Sequence, residues 1–276
     1  MRGLLHYLRI GQIMNSPTVP KTNEVAITAA AKSVQGSQCD ANEDSFLMDE
    51  DHGVFVLADG FGGQCGGERA SRLAAAGLMR EAELLLEQED SQESLAHAMG
   101  QAFLNVNESI VSVAEQLPRF RGMGASAVLA IVNCGQLYVV GAGDCRAYLI
   151  RGDKAERLTV DQTLFQLLVE AGLTHDKYQW AHSPRMLWTC LGDPEFALPH
   201  IRCEEIQRSD RLILVTNGIT RVVKDGLIGR LAANTENVVA TATNVVNTAL
   251  ALRTADDATC LAMSFGAASP DSPTHI

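Results

Sequence analysis

Hydrophobic residues recur along this chain with two periods, and the period changes mark the elements. GVFVLA (53–58) is a short continuous apolar run of the buried-strand type, and extended segments are also predicted near 24–33 and 45–49. After a glycine-rich turn, ERASRLAAAGLMREAELLLEQ places apolar residues at helical spacing among good helix formers. A second helix is predicted from Ser91 to about Leu117, with Ser91 and Glu93 suited to its first turn. SAVLAIVN, QLYVVGAG and CRAYLIRG then alternate with short Asn/Gly turns, and the simplest reading is an antiparallel meander. Further on, 161–173 reads as helix, 183–192 as irregular, and 199–206 and 211–216 as extended. Helices near 224–232 and 236–252 precede a last strand, ATCLAMSF. Strands cluster with strands and helices come in pairs, which predicts α+β layers rather than a doubly wound α/β sheet.

Length and charge narrow the picture. The chain has 276 residues, 46% of them hydrophobic, and a formal net charge of −11. One large domain over 24–266 is the simplest account, with 1–23 a flexible N-terminal extension and 267–276 a disordered tail. The extension reads either as a docking arm or as a run ahead of a start at Met14. The acidic balance argues against a nucleic-acid or anionic-membrane partner. No run approaches about 18 apolar residues, so no membrane span is expected. Seven scattered cysteines without a CxxC pair predict a reducing, cytoplasmic compartment.

Candidate chemistry sits where strands end. Asp59 closes VFVLA and leads into Gly60-Phe61-Gly62-Gly63; Asp144 lies in GAGDCR; Asp256-Asp257 precede the last strand; Glu43 and Asp44 precede the strand at 45–49. Such carboxylates either converge on one rim of a sheet, as a cation site needs, or serve singly as turn residues, which Asp favours anyway. Gly60-x-Gly62-x-x-x-Gly66 outlines a dinucleotide loop. Asp59 would stand where a pyrophosphate must approach, and the antiparallel continuation is not βαβ.

Taken in order, NEDS (42–45), VLADGFGG (56–63), GMGASAV (122–128), GAGDCRAYL (141–149), LTVDQT (158–163), CLGD (190–193), SDRLILVTNGIT (209–220) and DDAT (256–259) resemble the metal-dependent protein serine/threonine phosphatases of the PPM, or type 2C, family. The resemblance covers about 24–266. It implies a four-layer α-β-β-α sandwich of two antiparallel sheets flanked by helix pairs, with two Mg²⁺ or Mn²⁺ ions at one end. In such a fold Asp59 bridges the ions, Gly60 lends its carbonyl, and Asp256 is a further ligand, so Asp59 and Asp256 are the candidate catalytic residues. Glu43 and Asp44 act largely through waters, and Asp144 is tied to a third ion in bacterial members. A water acidified by the metals would then hydrolyse the phosphate ester without a covalent intermediate. Phosphorylated protein substrates and a cognate Ser/Thr kinase are the implied partners. Arg185, in AHSPRMLW, falls in the mobile flap of bacterial relatives and is a candidate substrate contact. LTVDQTLFQLLVEAGL is closer in pattern to bacterial than to animal members.

This chain departs from the family pattern at three places. Asn217 stands where the family has a metal-ligating Asp, Cys39 where it has a phosphate-binding Arg, and Gln162 where it has His. Two dications about 4 Å apart repel by about 17 kcal/mol at an effective dielectric near 20, and carboxylates offset that. An amide at 217 removes one such charge, and a cysteine cannot imitate a bidentate fork. Two readings follow: a metal-dependent phosphatase weakened by Asn217 and Cys39, or an inactive pseudophosphatase that binds a phosphoprotein or a kinase. Cys65 and Cys145 lie in motifs beside this site without a base or cation motif, which reads as packing.

Overall fold

Alternating side chains on the strands set the layers. The computed structural model describes residues 25–63, 66–87, 92–172 and 186–267. Its strands are β1 (Val25–Val34), β2 (Asp44–Asp49), β3 (Val54–Phe61), β4 (Gly124–Asn133), β5 (Gln136–Ala142), β6 (Arg146–Arg151), β7 (Lys154–Arg157), β8 (His200–Glu205), β9 (Arg211–Val215) and β10 (Ala258–Ala267). One antiparallel sheet runs β2-β3-β4-β5-β8, the other β1-β10-β9-β6-β7. The helices are α1 (Gly66–Glu87), α2 (Gln92–Gln116), α3 (Leu164–Glu170), α4 (Asn217–Thr220), α5 (Asp225–Ala233) and α6 (Val238–Ala251). The N-terminal extension, the tail beyond 267 and the segment carrying Arg185 lie outside the described residues.

The expected sandwich is present, and its period-2 logic is visible residue by residue. On β3, Val54, Val56 and Ala58 face a core shared with α1 and α2, while Phe55 and Leu57 face the opposite sheet. On β9, Leu212 and Leu214 fill the space between the sheets, while Ile213 and Val215 pack under α5 and α6. Three apolar layers therefore separate four structural ones. Small residues let α1 lie close to its sheet: Ala70 and Ala74 are fully buried, with Leu78 and Ala82 following at one-turn intervals. Each large side chain so enclosed stabilises the fold by about 1.5–3 kcal/mol.

The three-strand meander is corrected by the structure. β4 and β5 pair as expected, but β6 leaves their sheet and pairs with β7 and β9 instead. The crossing occurs at Gly143, whose φ of 91° favours glycine, and whose missing side chain would collide with Ser126. The Ser126 hydroxyl then accepts the amides of Asp144 and Cys145 at 2.8 and 2.7 Å, replacing the strand partners they lose. Gln162 braces the same turn: its side-chain oxygen accepts the Gly143 amide, and its own amide donates to the Gly143 carbonyl, each at 2.8 Å. This switch of sheets carries Asp144 to the rim of the sandwich.

Candidate active site

Strand register brings the acidic residues together. Asp44 at the start of β2 pairs with Asp59 near the end of β3, and Asp59 in turn faces Ser126 of β4. From the opposite sheet, β9 ends at Val215 just before Asn217, and Asp256 stands just before β10. A cleft of about 310 Å³ opens between them, lined by residues that include Cys39, Glu43, Asp59, Asp144, Arg221 and Asp256. A broader depression of about 470 Å³ over Leu227, Leu231 and Leu252 has no ionisable side chain in its lining.

The carboxylates are held in different ways. Asp44 Oδ2 accepts the hydroxyls of Thr216 at 2.9 Å and Thr259 at 2.6 Å, while its Oδ1 is buried without a hydrogen-bond partner. Burial pushes the Asp44 carboxyl up, outweighing the two threonine hydroxyls that pull it down. Asp59 is pushed well above the usual carboxylate range by burial and by the neighbouring charges of Asp44 and Asp144. The Asp144 carboxyl is likewise raised by burial, with Arg221 pulling it back. Gly60 has no room for a side chain, since a Cβ there would lie 2.0 Å from the Gly67 carbonyl oxygen. That close approach seats the start of α1 against Asp59.

Adjacent residues have opposite duties. Asp257 is a staple: its two oxygens accept the amides of Gly36 and Glu43, each at 2.7 Å. Asp256 faces the cleft and forms an ion pair with Arg221. Glu43 is raised by burial and by Asp257, while the Gly67 and Glu68 amides at the start of α1 lower it. It is thus partly engaged as a helix cap. Cys39 does face the cleft, but burial and Asp257 push its thiol up, so it offers a neutral, poorly nucleophilic sulfur. Cys145 is buried and points its sulfur at the Ser126 carbonyl, a packing role.

The structure gathers Glu43, Asp59, Gly60, Asp144, Asn217 and Asp256 around one cleft, with Asp44 just beneath it. Sequence reasoning missed Thr216, Thr259, Ser126 and Arg221. Arg221 carries a readable signal: it follows Asn217 by one helical turn, which puts the two on one face of α4 and its C-cap. The hydroxyls gave none, since their role depends on the opposite sheet.

The profile of the Protein phosphatase 2C family matches residues 26–167, just over half of the chain. The chain belongs to the protein phosphatase 2C family. The serine/threonine protein phosphatase PstP of Mycobacterium tuberculosis is 29% identical over 199 residues, covering 72% of this chain and 37% of PstP. The chain thus spans little more than a third of that relative's length. A crystal structure of PstP superposes with a TM-score of 0.76 at 27% identity, covering 88% of this chain and 99% of that one. A second, of the PstP catalytic domain in complex with two manganese ions, gives 0.72 at 26% identity over the same shares. As a 2C-family fold, the sandwich places its acidic cleft at the strand ends, and no described helix is long and apolar enough to cross a membrane.

The donor set suits a hard divalent ion on one side of the cleft. Oxygen donors dominate the cleft, and the buried unpartnered Asp44 Oδ1 beside Asp59 is what such an ion would satisfy. Among the described residues, no three His, Cys, Asp or Glu side chains meet closely enough to hold a metal by themselves. That suits an ion bound through one or two carboxylates with waters completing its shell. The Asp256 side does not fit equally well: its carboxylate is taken by Arg221, and Asn217 supplies an amide.

Proposed function

We propose that this chain is a metal-dependent protein serine/threonine phosphatase whose cation site is reduced to the Asp44–Asp59 side of the cleft. The observation that carries this reading is the buried, unpartnered Asp44 Oδ1 in a cluster of carboxylates short of positive charge. Asp44, Asp59 and the Gly60 carbonyl would hold Mg²⁺ or Mn²⁺, with Glu43 and Asp144 acting on waters around it. A bound ion there would acidify water and neutralise phosphoryl charge.

The chain's own residues do the rest. Thr216 and Thr259 hold one oxygen of Asp44 and leave the other without a hydrogen-bond partner. Ser126 fixes the Asp144 backbone, and Phe61 at the rim is exposed and available to a substrate chain. With Cys39 in place of a guanidinium, phosphate would be held weakly, so a phosphoprotein must contribute contacts outside the cleft. Arg185 is a proposed contact of that kind, and a partner Ser/Thr kinase in a bacterial cytoplasm completes the proposed setting.

The Arg221–Asp256 pair favours a second reading, a pseudophosphatase that binds phosphoproteins without turnover. Hydrolysis of p-nitrophenyl phosphate and a phosphothreonine peptide across a Mn²⁺ titration separates the two. Turnover in this chain that Asn217→Asp shifts to lower Mn²⁺ supports the phosphatase. Turnover only in Asn217→Asp supports the binder, and none in either overturns the phosphatase reading.

A further inference from the structure

We propose that the Arg221 guanidinium is a resident cation, standing in for one divalent ion on the Asp256 side of the cleft. The proposal rests on the metal-site reading above only for the other side, around Asp44 and Asp59.

Three observations converge on it. Arg221 forms an ion pair with Asp256, and both side chains are largely shielded from solvent at 21% and 31% exposure. Arg221 also lines the cleft together with Asp59 and Asp144. One fixed charge therefore stands in a cleft lined by carboxylates from both sheets, paired directly with Asp256. Asn217 is the third observation. The Arg221 amide donates to its carbonyl at 3.0 Å, so α4 fixes the two side chains relative to each other. The Asn217 side-chain amide lies 3.4 Å from Asp144 Oδ1, donating to it. Position 217 thus gives up a negative charge at the place where Arg221 brings a positive one.

The substitution changes what the site can do. A guanidinium keeps its charge across the physiological range and cannot be stripped by a chelator. Unlike a dication it does not acidify a water. It also opposes a second dication beside it, because like charges at this separation repel. The Asp256 side becomes permanently charged and structural, and metal chemistry is confined to the Asp44–Asp59 side.

The test compares the full chain with Arg221→Gln, Arg221→Lys and the Asn217→Asp/Arg221→Gln double variant. Thermal unfolding in EDTA and Mn²⁺ stoichiometry by equilibrium dialysis are the readouts. We expect Arg221→Gln to lower Tm in EDTA by about 4–8 °C, with Arg221→Lys retaining most of it. The double variant should bind one more Mn²⁺ per chain than the unaltered protein, with Mn²⁺ recovering its Tm. An unchanged Tm in EDTA for Arg221→Gln, or an unaltered chain that already binds two ions, overturns the proposal. A chain without phosphatase activity whose double variant still gains an ion leaves Arg221 in this role, while the phosphatase reading falls. If Arg221→Gln instead gains phosphate affinity, the guanidinium was not offsetting the carboxylates of the cleft, and the resident-cation role falls. Lost phosphate affinity at unchanged EDTA stability marks it as an anion contact and overturns it.

Discussion

Two clusters of shielded charge lie at the same end of β6, and they are built on opposite terms. In the first, Arg146 forks onto both oxygens of Asp161 and reaches Asp225 at 2.8 Å, where the Tyr148 hydroxyl also donates at 3.0 Å. Arg157 adds looser contacts to the same two carboxylates at 3.6 and 3.9 Å. Two acids thus meet two guanidiniums, and the cluster ties β6 to the loop before α3 and to the start of α5. In the second, Glu43, Asp59, Asp144, Asp256 and Asp257 line a cleft in which Arg221 is the one positive side chain of the described lining. The first cluster is balanced and serves the fold. The second is held short of positive charge, which costs stability and leaves an appetite for cations.

The comparison breaks most sharply at its centres. Asp59→Asn should lower kcat by at least about 100-fold while raising Tm in EDTA, because it removes a charge that the fold carries at a cost. A fall in Tm would place the cleft in the same class as the balanced cluster. Asp161→Ala should do the reverse, losing about 3–5 kcal/mol of stability equally with and without Mn²⁺, since Arg146 loses both bonds of its fork and keeps only the half-exposed Asp225. Chemical denaturation in both buffers checks it.

A finer test addresses the hydroxyls under Asp44. Thr259→Val keeps the shape but removes the donor to Asp44 and the 2.7 Å contact with Ser33. About 1–3 kcal/mol of stability and about tenfold in Mn²⁺ affinity should be lost, read by denaturation and dialysis. The floor is set by the exposed His52–Asp49 pair, remote from both clusters, with its 2.7 Å contact. His52 is raised above its ordinary 6.5 by Asp49, and Asp49 is lowered by hydrogen bonds from His52 that outweigh burial. Its contribution is therefore present between the carboxylate and histidine titrations and is lost as pH rises through the raised histidine value. His52→Gln should cost only about 0.3–0.5 kcal/mol near pH 5.5 and nothing at pH 8.5, by denaturation at the two values.

Much of this architecture was legible in the pattern of side chains. Val54 to Ala58 announced a strand buried on both faces, and the helical spacing of Ala70, Ala74 and Leu78 announced a helix lying on it. The acids at strand ends pointed to a rim, because antiparallel strands in register must end together. The residues that were missed act across the sandwich. Thr216 and Thr259 belong to one sheet and hold an aspartate of the other, and no local period records such a pairing.

What the sequence determined by itself was therefore the layers, through alternation, and the acidic character of one sheet edge, through the order of its motifs. Tertiary structure decided which neighbours the charges meet. Two adjacent aspartates approach β10 alike in sequence and both line the cleft, yet Asp257 is tied to the amides of Gly36 and Glu43 while Asp256 pairs with Arg221. Likewise β6 could have stayed beside β5, but Gly143, Ser126 and Gln162 turn the chain into the other sheet and set Asp144 at the rim. Periodicity is local, whereas an electrostatic environment is the sum over every chain segment that folding brings within a few ångströms.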